Sequence, residues 1–143
     1  MIKTHRLASK ELVGEVIELK DGEAKVKLKT TKEMAVDEKG LIHGGFTFGA
    51  ADLAAMVAVN HPNVVLAKAE VKFTKPVKVG DEIIAHAKIV KVEGKKNIVE
   101  VTAKVGEEVV LVGTFHCYVL DKHVLDKQIQ TSGSAGIITH QGG

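Results

Sequence analysis

Between residues 23 and 30, apolar and charged positions alternate: Ala24, Val26 and Leu28 interleave with Lys25, Lys27 and Lys29. A period of two is that of a β-strand with one buried and one wet face. Residues 12–20 form a similar run, and Asp21-Gly22 sits between the two, a strong hairpin signal. Residues 64–74 read as a strand ending before Pro76. Residues 82–92 follow a turn at Gly80-Asp81, and residues 97–105 alternate cleanly. Residues 108–120 are apolar on both faces, as a central strand would be. Gly94-Lys95-Lys96 and Gly106-Glu107 supply the turns between them.

One segment breaks this rhythm. Residues 41–60 are apolar nearly all round and rich in Gly and Ala. Gly44-Gly45 opens the segment and Asn60-His61-Pro62 closes it. This predicts a long helix wrapped by other structure on every side. The preceding residues 31–40 read as a loop, with a second helix at 34–40 as the alternative. One buried helix and five to six strands define an α+β chain. A single helix cannot cover a flat sheet of that width, but a curved antiparallel sheet can roll around it. Residues 1–126 form this one domain, and the Gly- and Ser-rich residues 127–143 read as a tail.

Composition narrows the function. Formal net charge is +2 over 143 residues and the lysines are dispersed, which argues against nucleic acid as a partner. No DNA-binding segment is expected beside this domain, which argues against a repressor. The longest apolar stretch, residues 46–59, is interrupted by Asp52 and is shorter than the ~20 residues of a membrane span. No signal-peptide pattern opens the chain, so a cytoplasmic protein without membrane partners is expected. The single cysteine, Cys117, excludes an intrachain disulfide. Its neighbour His116 would point to the opposite face of a strand, so Cys117 reads as a buried structural residue. His61, His86, His116 and His123 show no tight ligand spacing, and neither metal nor cofactor is expected.

Candidate chemistry concentrates in the helix. Asp52 is its only charged side chain once His43 is neutral, and burying an unpaired carboxylate costs several kcal/mol. The chain offers one arginine, Arg6, as a conceivable partner. A functional role explains Asp52 better than a structural one. Gly44 and Gly45 lie where a helix start exposes backbone N–H groups and the positive end of its dipole. A thioester oxygen bound there would be stabilised as it becomes an oxyanion. Eight residues, or about 12 Å of rise, separate Gly44 from Asp52. That is too far to share one carbonyl, so two antiparallel helices related by a two-fold axis are expected to build each site.

His43-Gly44-Gly45, the acid nine residues after that His, and a small-residue helix ending in Asn60 resemble the signature of hot-dog-fold thioesterases. The similarity is to the phenylacetyl-CoA and 4-hydroxybenzoyl-CoA thioesterase group. Phe73 and Pro76, followed by Gly80-Asp81, match as well, and the resemblance spans roughly residues 34–120. It implies a hot-dog fold and hydrolysis of acyl-CoA to free acid and coenzyme A, with coenzyme A part of the substrate. It further implies that the Gly44 amide polarises the carbonyl and that Asp52 of the partner subunit is nucleophile or general base. His43 would shape the carbonyl site, and Gly45, Asp37, Phe46 and Asn60 would contact substrate. Departures occur at Asp37, Met56 and Leu66, where relatives often carry Asn or Gln, Thr or Ser, and Ser respectively. The expected assembly is a homodimer, with a dimer of dimers as the alternative. The alternative function is a non-catalytic acyl-CoA binding or sensing protein. A hot-dog dehydratase or hydratase is a third class, whose motif is not found.

Overall fold

The hairpin predicted at Asp21-Gly22 forms. In a computed structural model that describes residues 1–126, β1 (Glu15–Lys20) and β2 (Glu23–Lys29) pair antiparallel, and Gly22 takes a φ of 75° at the turn. Residues 127–143, where the tail is expected, lie outside the described residues. Ala24, Val26 and Leu28 are fully buried, as their alternation predicts. β2 then pairs with β4 (Glu82–Glu93), β4 with β5 (Lys96–Val105), β5 with β6 (Glu108–Val119), and β6 with β3 (Val64–Phe73). The sheet order is β1-β2-β4-β5-β6-β3, antiparallel throughout, with β1 and β3 at its edges. β6 sits between two strands, as its doubly apolar pattern implies.

The register shifts between Val16 and Glu18, Leu66 and Lys68, Ile89 and Lys91, and Ala103 and Lys104. Such bulges bend strands and sharpen their twist, so they let the sheet curl. On its inner side lies α1 (Gly44–Val59), which carries the chain from the β2 side to the far edge at β3. Ala50, Ala51, Ala54, Ala55 and Ala58 are buried on the helix, and Ala24, Ala85, Ala87 and Ala103 on the strands. Small side chains on both surfaces let helix and sheet approach closely, and interiors are packed too densely to leave water between them. The result is the hot-dog fold.

Two local expectations change, and one alternative is set aside. The helix starts at Gly44 rather than at residue 41. Leu41 and Ile42 instead form bridges to Lys78 and Ala35, and the His43 N–H donates to the Met34 carbonyl at 2.9 Å. No second helix forms before it: residues 32–34 make one 3-10 turn. The helix is also not wrapped on every side. Gly45, Phe48, Gly49, Asp52 and Val59 form a stripe that keeps partial exposure within one chain.

Gly113, in the middle of β6, is a close-approach position. A Cβ there would lie 2.5 Å from Val71 Cγ1 and 3.0 Å from the Glu70 carbonyl oxygen on β3. Gly113→Ala is therefore expected to lower unfolding free energy by about 1–3 kcal/mol, the usual range for overpacking. Denaturant melts of the two proteins check this, and equal midpoints would show that β3 yields without cost.

Candidate functional site

α1 carries Asp52 in its third turn. One turn earlier on the same face, Phe48 stacks on Phe115 of β6, with ring centroids 5.5 Å apart. The Asp52 carboxyl is half-buried. Its Oδ1 is shielded from solvent and has no hydrogen-bond partner among the described residues. No described cation pairs with it. Arg6 is exposed on the N-terminal segment. Burial alone raises the Asp52 pKa from an ordinary 3.8 to about 7. The Cys117 thiol on β6 is pushed up to about 12, first by its own burial and then by the negative charge of Asp52. Cys117 is thus inert as a nucleophile near neutral pH, whereas Asp52 changes charge there.

The helix start is built differently. His43 is the N-cap, and its Nδ1 accepts the Gly45 N–H at 2.8 Å. A Cβ on Gly45 would sit 2.9 Å from that nitrogen, so the cap itself requires glycine. The His43 ring meets Phe46 edge-on at 6.2 Å. With the Gly45 amide engaged by the cap, Gly44 keeps a backbone N–H that donates to no acceptor among the described residues. Gly44 lines a cleft of about 290 Å³ together with Thr47, Phe73, Pro76 and Val110. A Cβ on Gly44 would lie 3.2 Å from the Phe73 ring, so glycine keeps the amide close to the cleft wall.

The structure brings His43, Gly44, Gly45 and Phe46 together and sets the other candidates apart. Asp52 lies two turns further along α1 and does not line the Gly44 cleft. Asp37 is exposed, and its Oδ1 accepts the Lys39 and Leu41 N–H groups at 3.0 and 3.2 Å, closing its own loop. Asn60 ends the helix in the left-handed region at φ 53°. Its amide holds the N-terminus, donating to the Met1 carbonyl and accepting the Lys3 N–H. Phe73 enters the sequence reading only as part of a motif, yet it is the exposed aromatic wall of the cleft. Its rarity was the available signal, since the chain has four Phe and one Tyr. Among the described residues no three His, Cys, Asp or Glu side chains gather as metal ligands, and His86 pairs with Glu23. No described helix is long and apolar enough to cross a membrane.

The pKa of Asp52 makes a stability prediction. Unfolded, the group releases its proton near pH 4, and folded, near pH 7. Between these values the native state binds the extra proton, so wild-type stability falls as pH rises. The burial penalty is nearly absent below pH 4 and complete above about pH 8, on the order of 4 kcal/mol. Asp52→Asn mimics the neutral acid. Its stability advantage over wild type should grow from near zero at pH 4 to that full value at pH 8 in denaturant melts. An advantage that does not vary with pH would contradict the buried-acid account.

A family model for the thioesterase superfamily matches residues 39–112, a span that holds α1 and both candidate elements. The chain is 54% identical over 114 residues to the methylthioribose-1-phosphate isomerase of Aquifex aeolicus, over 80% of this chain and 25% of that protein. It is 35% identical over 115 residues to transcription factor FapR of Bacillus velezensis, over 78% of this chain and 61% of that one. The chain therefore spans a quarter of the first relative and about three fifths of the second. Among solved structures, the uncharacterized protein PH1136 from Pyrococcus horikoshii is 64% identical with a TM-score of 0.87, covering 88% of this chain and 97% of that one. With 74 of its 143 residues inside the family match, and a hot-dog fold around them, the chain belongs to the thioesterase superfamily.

Proposed function

We propose that the chain hydrolyses acyl thioesters of coenzyme A, in sites built at a two-fold interface between copies. The carrying observation is Asp52, a shielded carboxylate with an unpartnered oxygen and a pKa near neutrality. Holding it in an apolar helix is costly unless it is used. A general base works best when its pKa lies near the working pH.

In this reading the thioester oxygen accepts the Gly44 N–H in the cleft beside Phe73. Asp52 of the partner subunit either removes a proton from water, whose oxygen then attacks the carbonyl carbon, or attacks that carbon itself. In the first route the C–S bond breaks from the tetrahedral oxyanion, and the thiolate leaves with the proton. In the second the C–S bond breaks as the thiolate leaves an acyl-carboxylate anhydride. Water then cleaves the anhydride, returning the Asp52 carboxylate, releasing the acid and supplying the thiol's proton. Either way one water is consumed per thioester, giving a carboxylic acid and a thiol. The oxyanion would gain on the order of 2.7–4 kcal/mol from a single well-placed donor.

Two features support a composite site. Gly44 and Asp52 do not share a cleft within one chain. β3 is an unpaired edge, and the part-exposed stripe of α1 includes Gly49, where an added Cβ would meet no atom within 4 Å. An unpaired edge and a part-exposed, largely apolar helix stripe each invite a second copy. A second reading, a non-catalytic acyl-CoA sensor, draws on the similarity to a transcription factor and on Asp37, whose carboxylate is committed to its own loop.

Assay of free thiol across a panel of acyl-CoA substrates separates the two. Hydrolysis is expected, and Asp52→Asn should lower turnover by at least ~10²-fold with binding retained. Binding without thiol release would favour the sensor. Mixing Asp52→Ala subunits with Gly44→Val subunits tests the geometry: part of the activity should return in mixed dimers, whereas an active monomer at high dilution would refute the composite site.

A further inference from the structure

The residues before β1 do not join the sheet. They form a strap across the helix. Its start is tied down by Asn60, through the Lys3 N–H at 2.7 Å and the Met1 carbonyl at 2.9 Å. Thr4 is buried, and His5 turns the backbone in the left-handed region at φ 53°. Further along, Ser9 accepts the Val13 N–H on its carbonyl and the Leu12 N–H on its hydroxyl. Between these ties the strap stands off the helix and leaves a cavity of about 310 Å³.

This cavity has an apolar floor and a charged rim. Leu53 and Val57 of α1 and Val16 of β1 form the floor. Arg6 and Lys10 stand at the rim with one acid, Glu15. Arg6 is the only arginine of the chain, and neither it nor Lys10 forms an ion pair among the described residues. Two cations less one carboxylate leave one positive charge from Arg6, Lys10 and Glu15 at the rim. The cavity shares no lining residue with the Gly44 cleft.

We propose that the strap cavity binds an aliphatic monocarboxylate, with its alkyl chain on Leu53 and Val57 and its headgroup between Arg6 and Lys10. The volume lies at the low end of the ~300–1,000 Å³ range of small-molecule sites. One excess positive charge matches a single carboxylate better than a polyphosphate. The floor offers no polar group for a sugar or a base, so an alkyl chain is the complement it fits. Leu53 follows Asp52 directly in α1, so the occupant touches the turn that carries the acid. The inference stands on the cavity and its rim and does not depend on thioester hydrolysis.

The test is an amide NMR titration of the full chain with decanoate, below its micelle-forming concentration, beside decyltrimethylammonium as a probe with a similar tail and the opposite charge. Decanoate is expected to give saturable shifts at residues 2–16 and 53–57, and the cationic probe none. Arg6→Gln/Lys10→Gln changes two exposed side chains without touching the floor. It should weaken decanoate by about fivefold or more, the scale of two exposed charge contacts. Absent or unsaturable shifts, shifts confined to the Gly44–Phe73 cleft, equal binding of the cationic probe, or unchanged affinity in the double variant would each overturn the assignment.

Discussion

Close packing of α1 against the inner face of the sheet is the constraint on which the rest of the molecule depends. Buried alanines of the helix and of β2, β4 and β5 share one core with larger fully buried side chains, among them Met56 and Val57 of the helix and Leu28, Ile83 and Val101 of the strands. The bulged strands let the sheet curl over this helix. Asp52 lies on the part-exposed stripe of that helix, yet its Oδ1 is shielded from solvent. This burial is the sole cause of its raised pKa. Desolvation alone is enough to carry the carboxyl toward neutrality.

The two ends of the helix have separate tasks. At the start, His43 occupies the Gly45 amide and so leaves Gly44 as the donor that faces the cleft. At the end, Asn60 stops the helix and ties the N-terminus to it. Both residues belong to the family-like signature, yet in this chain each is engaged in local structure. Backbone geometry at the Gly44 cleft depends on the first. The strap and its cavity depend on the second.

Much of this was legible in the sequence, for physical reasons. The alternation of β2 and β5 records one-sided burial, and the small, uncharged run of α1 records burial on most sides. Asp52 stood out because a lone carboxylate in such a run has no structural explanation. What escaped the sequence depends on partners far along the chain. Leu41 and Ile42 look helical but pair with Lys78 and Ala35, and no local pattern encodes that choice. Gly113 reads as an unremarkable strand residue until Val71 of β3 is placed beside it. The strap is invisible because its path is set by hydrogen bonds to Asn60, nearly sixty residues away. Asp37 resembles a substrate ligand by position, while its hydrogen bonds belong to its own loop.

The candidate site depends on a carboxyl group that is half ionised near neutral pH. The most direct measurement is a carbon-13 NMR titration of the Asp52 side-chain carboxyl in the intact protein, assigned by its absence in Asp52→Asn. A midpoint close to 7, well above the ordinary 3.8, is what the structure predicts. A midpoint near 4 would mean that water or a cation reaches the group, and it would remove the physical basis for treating Asp52 as the centre of the site.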